Sequence, residues 1–300
     1  MQLMRERLPV AEVLQSADTP EELKQRLQLL QEARDFAVEV LLLPDNDSYR
    51  SYAHLDREYV LWNVFAAPEF SLQAKTWCYP VAGCVAYRGY FQKEDADRQA
   101  SKLADKGYDV AIGGVAAYST LGRFADPLLS TMMRRDDTEL VALLFHELAH
   151  QLLYVKGDSG FNESFATAVE EFGVIRWLQA RGDEQKIDDY FERRDLRQEL
   201  MQMVALARTD LGDYYAETID ADEKRLLKQH RLELLQQDVA AALQRQGRQQ
   251  TGWFAGTLNN ARLLSMILYE GRLQEFRDLL ATCNNELECF YAAAEDLATR

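Results

Sequence analysis

The chain has 300 residues, of which 47% are hydrophobic, and a formal net charge of −15 at pH 7. This charge argues against a nucleic-acid partner and against charge-driven binding to an anionic membrane surface. The sequence has no apolar run of about 18 residues, so it predicts no transmembrane helix. The hydrophobic content suffices for a sizeable core, in one large domain or two smaller ones.

The N-terminal part mixes predicted helices and strands. Apolar residues recur every three or four positions in residues 20–43, which predicts an amphipathic helix that ends at Pro44. A polar helix is expected at 93–106. Stretches rich in β-branched, aromatic or small residues predict strands at 59–66, 83–91 and 109–120.

An H-E-x-x-H pattern follows, formed by His146, Glu147 and His150. On a helix, residues four apart share one face and lie about 6 Å apart along the axis, so both imidazoles can reach one metal ion. Zinc suits this ligand set, and Glu147 beside it can take a proton from an activated water. The alternative is a helix with two ordinary histidines. The apolar stretch before the motif favours a buried helix, in which polar residues need a reason.

The ends of this helix and the start of the next one are also predicted. Asp136, followed three residues later by an acid, indicates a capped helix start. Glycines at 157 and 160 break the helix, and a second helix then begins. Glu163 lies near its beginning and Glu170 two turns further on, on roughly the same face. Either glutamate could be the third zinc ligand, and the other would orient a histidine N–H or remain solvated.

The four cysteines form two pairs with equal spacing, Cys78 with Cys84 and Cys283 with Cys289. Two disulfides would suit a periplasmic protein. Four buried thiols, or a zinc site made of four cysteines, are the alternatives.

Beyond Trp177 the sequence predicts helices almost throughout. Two long charged segments, 183–209 and 213–245, are expected to form an antiparallel hairpin joined at 210–212, with a solvated or partner-docking charged face. Three shorter helices are predicted at 258–270, 273–282 and 286–299. The predicted class is therefore α+β: residues 1–178 form a small mixed sheet and the zinc helices. Residues 179–300 form a helical part that closes the active-site cleft.

Residues 44–178 resemble a bacterial family of zinc-dependent aminopeptidases, glutamate zincins that are often lipoproteins. A weaker match lies near the C-terminus. The stretches that carry the resemblance are PDNDSYRSYA, YVLWNVFAAPEFSLQAKTWCYPVAGCVAYRGYF, GYDVAIGGVAAYSTLG, the HELAH helix, FNESFATAVEEFG and LNNARLLSMILYEG.

The resemblance implies a peptidase with one Zn²⁺ per chain, held by His146, His150 and Glu163, with Glu147 as the base. Glu170 has the spacing to the motif that thermolysin uses, but the N-E-x-x-A context of Glu163 resembles the ligand motif of the wider group. The substrate would be a peptide or protein. An endopeptidase, or a non-catalytic zinc-containing scaffold, are the alternative functions.

The resemblance also implies further site residues. Tyr269 is the first candidate to stabilise the oxyanion, followed by Tyr154 and Tyr118, although each could be a packing tyrosine. In zincins an edge strand pairs with the substrate backbone. Here that role would fall to the small, extended segment that contains Gly114, Ala116, Ala117 and Tyr118, unless it is an ordinary core strand with a bulge.

Finally, the resemblance implies a periplasmic or membrane-anchored lipoprotein with a lipid anchor upstream. The first residues, MQLMRERLPVAEVL, show no signal-peptide apolar region, which leaves a cytosolic location open. An aminopeptidase must also bind a free α-amine. Glu170 and Glu171 are two of the acidic residues that could do so.

Overall fold

The computed structural model describes residues 6–79, 83–117, 120–249, 254–267 and 272–299. Helices and short strands mix in the first half and helices alone follow, which confirms the predicted α+β class. The helices are α1 Val10–Gln15, α2 Glu21–Glu39, α3 Lys93–Ala104, α4 Asp137–Leu152, α5 Ser159–Arg181, α6 Glu184–Ala216, α7 Ala221–Arg245, α8 Asn260–Ile267, α9 Leu273–Thr282 and α10 Leu287–Ala298. The strands are β1 Leu8–Pro9, β2 Ser51–Ala53, β3 Leu61–Pro68, β4 Trp77–Tyr79, β5 Gly83–Val85, β6 Tyr87–Tyr90, β7 Tyr108–Val115 and β8 Leu128–Leu129.

The chain forms two compact units, each assembled from separate segments. Unit 1 contains the described residues within 1–60, 114–188 and 271–300, and unit 2 those within 61–113 and 189–270. The division at residue 178 that the sequence suggested stays a prediction. Within the described part of the chain, none of the helices combines the length and apolar character needed to cross a bilayer.

Unit 1 is built around α4 and α5. Helix α4 begins where the predicted cap lies, because the Asp136 side chain accepts a hydrogen bond from the Glu139 N–H at 2.8 Å. Its apolar residues are buried on several faces, as expected for a core helix. A Cβ at Gly173 of α5 would lie 2.8 Å from the Phe145 ring, so this glycine lets the two helices approach closely. A small sheet of order β1-β2-β8 completes the N-terminal side of the unit.

Unit 2 holds the second sheet, of order β6-β3-β7, with α3 against it. The strand predicted at 83–91 is two strands, since a bend at Ala86 separates β5 from β6. The strand predicted at 109–120 ends at Val115. The carbonyl of Ala116 accepts a hydrogen bond from the Thr131 hydroxyl at 2.5 Å instead of continuing a ladder.

The helical hairpin of α6 and α7 is present, but its predicted connection at 210–212 is wrong. Helix α6 continues to Ala216, and α7 begins after Asp220, whose side chain caps it. Leu211 is fully buried in the core of unit 2, and burying it outweighs the roughly 1 kcal/mol that Gly212 costs inside a helix. Ion pairs between Arg231 and Asp210, and between Arg245 and Glu199, show that the helices are antiparallel.

Both cysteine pairs are disulfides. Cys78 and Cys84 face each other across the β4–β5 pair, and Cys283, which ends α9, is joined to Cys289 in α10. All four cysteines are paired. Four buried thiols and a zinc site of four cysteines are therefore both excluded.

Candidate metal centre

Three side chains from α4 and α5 converge on one point. His146 and His150 lie one turn apart on α4, with ring centroids 4.8 Å apart. Glu163 of α5 places Oε2 at 3.2 Å from His146 Nε2 and 3.7 Å from His150 Nε2. One ligand atom from each residue lies within 4.8 Å of the other two, so the three could hold a metal ion.

The two glutamates that the sequence left open occupy different places. Glu163 faces the Nε2 atoms of both histidines, whereas Glu170 Oε2 lies 3.0 Å from Nδ1 of His146. A carboxylate that accepts the Nδ1–H of an imidazole fixes the tautomer and leaves the Nε2 lone pair free for a ligand bond. Glu163 therefore belongs to the group that could hold a metal ion, whereas Glu170 contacts the other ring nitrogen of His146; the role of each glutamate stays a prediction.

These ion pairs shift the ionisation of the site. Burial alone lowers the pKa of His146, but hydrogen bonds with Glu163 and Glu170 outweigh it and raise the pKa to about 10. Burial likewise raises the pKa of Glu163, yet hydrogen bonds from His146 and His150 lower it to about 2. The two carboxylates thus favour the protonated form of His146 in the metal-free site, and a metal ion would compete with that proton.

Glu147 points into the same buried region. Its side chain is only 8% exposed, and burial raises its pKa, while the two histidines act in the opposite direction. A carboxylate with a raised pKa beside a metal site can take and return a proton near neutral pH.

The loop between the two helices is held by Asn162, the residue before Glu163. Its Oδ1 accepts from the Val155 N–H at 2.7 Å, and its Nδ2 donates to the Val155 carbonyl at 2.8 Å. Asp158 caps α5 by accepting from the Phe161 N–H at 2.9 Å. No sequence pattern singled out Asn162 by itself, although the N-E pair that it forms with Glu163 contained the signal.

The acidic residues proposed for α-amine binding both have protein partners. Glu171 forms a two-bond ion pair with Arg277, at 2.6 and 2.8 Å, and Glu170 is paired with His146. Each carboxylate keeps further acceptor positions beside these contacts, so a role of either residue in α-amine binding stays a prediction.

The strand segment predicted to bind substrate contacts its own chain. A Cβ at Gly114 would lie 2.3 Å from the Tyr59 ring, so this glycine makes room for that side chain. Ala116 is tied to Thr131 through its carbonyl, and Ala117 is buried. Tyr118 lies outside the described residues. A substrate role for the segment stays a prediction.

Of the three candidate oxyanion donors, Tyr154 is the one that lies within the described residues. Tyr269 also lies outside the described residues; the described chain resumes at Arg272, whose N–H donates to Ser164 Oγ at 3.0 Å. Burial raises the pKa of Tyr154, and the charge of Glu163 adds to this, so Tyr154 lies within electrostatic reach of the site. The role of each tyrosine stays a prediction.

One acidic residue near the site was missed by the sequence analysis. Asp126 is 1% exposed, and its charge acts on Glu147, adding to the rise of the Glu147 pKa. The available signal was an acid directly before Pro127 and the buried strand β8, where an ionisable side chain needs a partner.

Comparison with known proteins gives one match. The sequence profile of the family described as "Putative aminopeptidase" matches residues 1–300. No curated protein and no solved structure matches the chain. Since the match spans the whole length, including the α4–α5 helices that carry the convergent side chains, the chain belongs to this family.

Proposed function

We propose that the protein is a zinc-dependent aminopeptidase. The observation that carries the proposal is the convergence of His146, His150 and Glu163 on one point, with the buried acid Glu147 beside it. Family membership supports peptidase activity at the N-terminal end of a substrate. We infer the zinc ion and the roles of the residues from the geometry and the donor chemistry of the site.

The donor set suits zinc. Two imidazole nitrogens and one carboxylate oxygen give three protein ligands, which is the number that catalytic zinc sites use while keeping a position open. A zinc ion bound there would act as a Lewis acid on the scissile carbonyl and lower the pKa of a water molecule.

The chain's own residues would then carry the proton and hold the geometry. Glu147 takes the proton of the attacking water and returns it to the departing amine. Glu170 keeps His146 in the tautomer whose Nε2 faces the metal position. A further donor for the developing oxyanion is worth about 3 kcal/mol, and Tyr269 is proposed for it, followed by Tyr154.

Two other functions use the same residues. An endopeptidase would share every step, and differs only in where the substrate chain lies. A non-catalytic zinc scaffold would need the three ligands alone. The presence of Glu147 inside the site, at a cost in desolvation, favours catalysis over the scaffold.

The two disulfides support a location in an oxidising compartment such as the periplasm. A lipid anchor remains part of the proposal through the family resemblance. Thiol labelling of the protein in separated cell fractions would test the location. Recovery of the protein with reduced cysteines in the cytosol would contradict a location in an oxidising compartment.

The function is tested by incubating the purified, zinc-loaded chain with a mixed peptide library and reading the products by mass spectrometry. Loss of single N-terminal residues from free peptides, but not from N-acetylated copies of them, is expected. The Glu147→Gln variant is the matched control. Internal cuts in both the free and the N-acetylated peptides would show an endopeptidase instead of an aminopeptidase. If the zinc-loaded chain cleaves no peptide, the proposed peptidase activity is wrong.

A further inference from the structure

Three buried polar atoms near the end of α4 have no hydrogen-bond partner among the described residues. They are Nδ1 of His150, Nε2 of Gln151 and Oδ1 of Asp126. Leaving such atoms unpaired costs about 1–3 kcal/mol each, so native proteins satisfy them with side chains or ordered water. Here the set is complementary, because two of the atoms can donate and the carboxylate oxygen can only accept.

The turn at residues 46–49 links the two segments that carry these atoms. Asn46 donates from Nδ2 to Gln151 Oε1 at 2.8 Å, and Gln151 directly follows His150. Two residues after Asn46, Ser48 Oγ accepts from the Asp126 N–H at 3.3 Å, and the Tyr49 N–H donates to the Asp126 carbonyl at 2.6 Å. The same short turn therefore contacts both Asp126 and the end of the helix that carries His150.

The Asp126 carboxylate is fixed on one side only. Its Oδ2 accepts from the Thr120 N–H at 2.8 Å and from the Thr120 hydroxyl at 3.0 Å. Oδ1 has no hydrogen-bond partner among the residues that the structure describes, although Asp126 is 1% exposed. The loop before Asp126 also passes beside the end of α4, because a Cβ at Gly122 would lie 3.9 Å from Gln151 Oε1.

We propose that Asp126 is a positioning residue for His150: one bridging water accepts from His150 Nδ1–H and Gln151 Nε2–H and donates to Asp126 Oδ1. A site with three polar partners is one that holds a buried water. Glu170 does the same for His146 by direct contact. Both imidazoles are thereby kept with Nε2 free toward Glu163, and the proposal rests on the zinc site proposed above.

The variant that tests this is Asp126→Asn. An asparagine has the same shape and its oxygen can still accept both hydrogen bonds from Thr120. Its NH₂ group then replaces Oδ1 and presents a donor where an acceptor is required. Zinc affinity, measured by competition with a chelator, is expected to fall about 10–100-fold, as for other lost orienting partners. Asp56→Asn, at a side chain that is 98% exposed, is the matched control and should bind zinc as the unaltered chain does.

A purely structural role is distinguished by two further readouts. The melting temperature of the metal-free variant should stay within the range of the Asp56→Asn control. The ¹⁵N NMR spectrum of histidine-labelled, zinc-loaded protein should show His150 with a protonated Nδ1 in the unaltered chain, and a changed Nδ1 signal in Asp126→Asn. Equal zinc affinity and an unchanged His150 signal would overturn the inference.

A second test does not depend on the folding of any variant. A crystal structure of the unaltered, zinc-loaded protein should show one water within hydrogen-bond distance of His150 Nδ1 and Asp126 Oδ1. A different acceptor on His150 Nδ1 would overturn the inference while leaving the zinc site in place. Failure of the unaltered chain to bind zinc would instead remove the proposed function and this inference together.

Discussion

The buried charges of the α6–α7 hairpin and those of the metal centre are arranged differently. In the hairpin they are matched one to one: Lys228 pairs with Asp109 and Arg231 with Asp210, each at 2.6 Å. In the metal centre Glu163 meets two histidines, and His146 meets two glutamates. The first pattern balances charge in pairs, and the second gathers ligand atoms around one position.

This difference suggests that the paired charges of the hairpin serve stability and that the clustered charges of the metal centre serve function. A buried ion pair with one partner on each side is explained by the packing of its helices and contributes little beyond that. A cluster whose members share partners keeps several polar groups out of water, which packing alone does not require. We therefore expect substitutions in the hairpin to change the free energy of unfolding, and those in the metal centre to change metal affinity and turnover.

The largest effect is expected for Glu147→Gln. Removing the base should lower kcat about 10²–10⁴-fold, because proton transfer by a positioned side chain contributes that much. Zinc content and melting temperature should stay near those of the unaltered chain, since the amide is of equal size. Peptidase assays and elemental analysis on the same sample check both parts. Full turnover with zinc bound would show that another group is the base.

The hairpin provides the opposite case. Leu235→Ala removes a fully buried side chain of α7 and should cost about 2–5 kcal/mol of unfolding free energy. Its neighbour Leu234 is 39% exposed, so Leu234→Ala is the matched control and should cost far less. Urea unfolding of both variants measures this. Zinc affinity should be unchanged in each variant. A loss of zinc from Leu235→Ala would contradict the expectation that hairpin substitutions change stability and not metal affinity.

In the metal-free protein, His146 should make the free energy of unfolding depend on pH. The pKa of His146 is raised to about 10 in the fold, above its ordinary value of 6.5. Its contribution to the free energy of unfolding is therefore fully present below about pH 6.5 and is lost as the pH rises through 10. Within this range the folded state binds up to one extra proton, and unfolding free energy falls by at most about 1.4 kcal/mol per pH unit.

Thermal melts of metal-free protein between pH 7 and 10 measure this slope. Glu170→Gln should flatten it, because one of the two carboxylates that hold the proton becomes neutral. Saturating zinc should abolish it, since the metal takes the place of the proton. A melting temperature of the metal-free chain that does not fall with pH would contradict the charged His146.

Loss of a helix cap should lower the free energy of unfolding slightly, and by a similar amount for the metal-centre helix α4 and the hairpin helix α7. Asp136 caps α4 and Asp220 caps α7, each through a hydrogen bond to the N–H three residues on. Asp136→Ala and Asp220→Ala should each cost about 1 kcal/mol. Chemical unfolding checks the energies, and zinc affinity should be unaffected in both. A selective loss of zinc in Asp136→Ala would mean that the start of α4 also shapes the metal centre.

The sequence predicted what depends on local periodicity and on residue type. The α4 helix, its Asp136 cap and the facing pair His146 and His150 follow from spacing along one helix. The end of α6 did not, because Gly212 and Asp210 are typical of a turn. The burial of Leu211 and the ion pair to Arg231, both contacts distant in sequence, continue the helix.

The same limit applies inside the site. Spacing alone allowed either Glu163 or Glu170 as ligand, and the difference between their contacts with the histidines appears only when α5 is placed beside α4. Asp126 lies in a loop with no motif of its own, and its link to the end of α4 runs through the hydrogen bonds of the turn at 46–49. Neither placement is encoded in a local pattern.

We propose that His146, His150 and Glu163 hold one zinc ion and that Glu170 orients a ligand without being one. The most direct test is zinc stoichiometry and affinity of the chain purified without chelator, compared with Glu163→Gln and Glu170→Gln. We expect one zinc per unaltered chain, loss of that zinc in Glu163→Gln, and full occupancy at about 10–100-fold weaker affinity in Glu170→Gln. Retention of zinc by Glu163→Gln together with its loss from Glu170→Gln would overturn this ligand assignment.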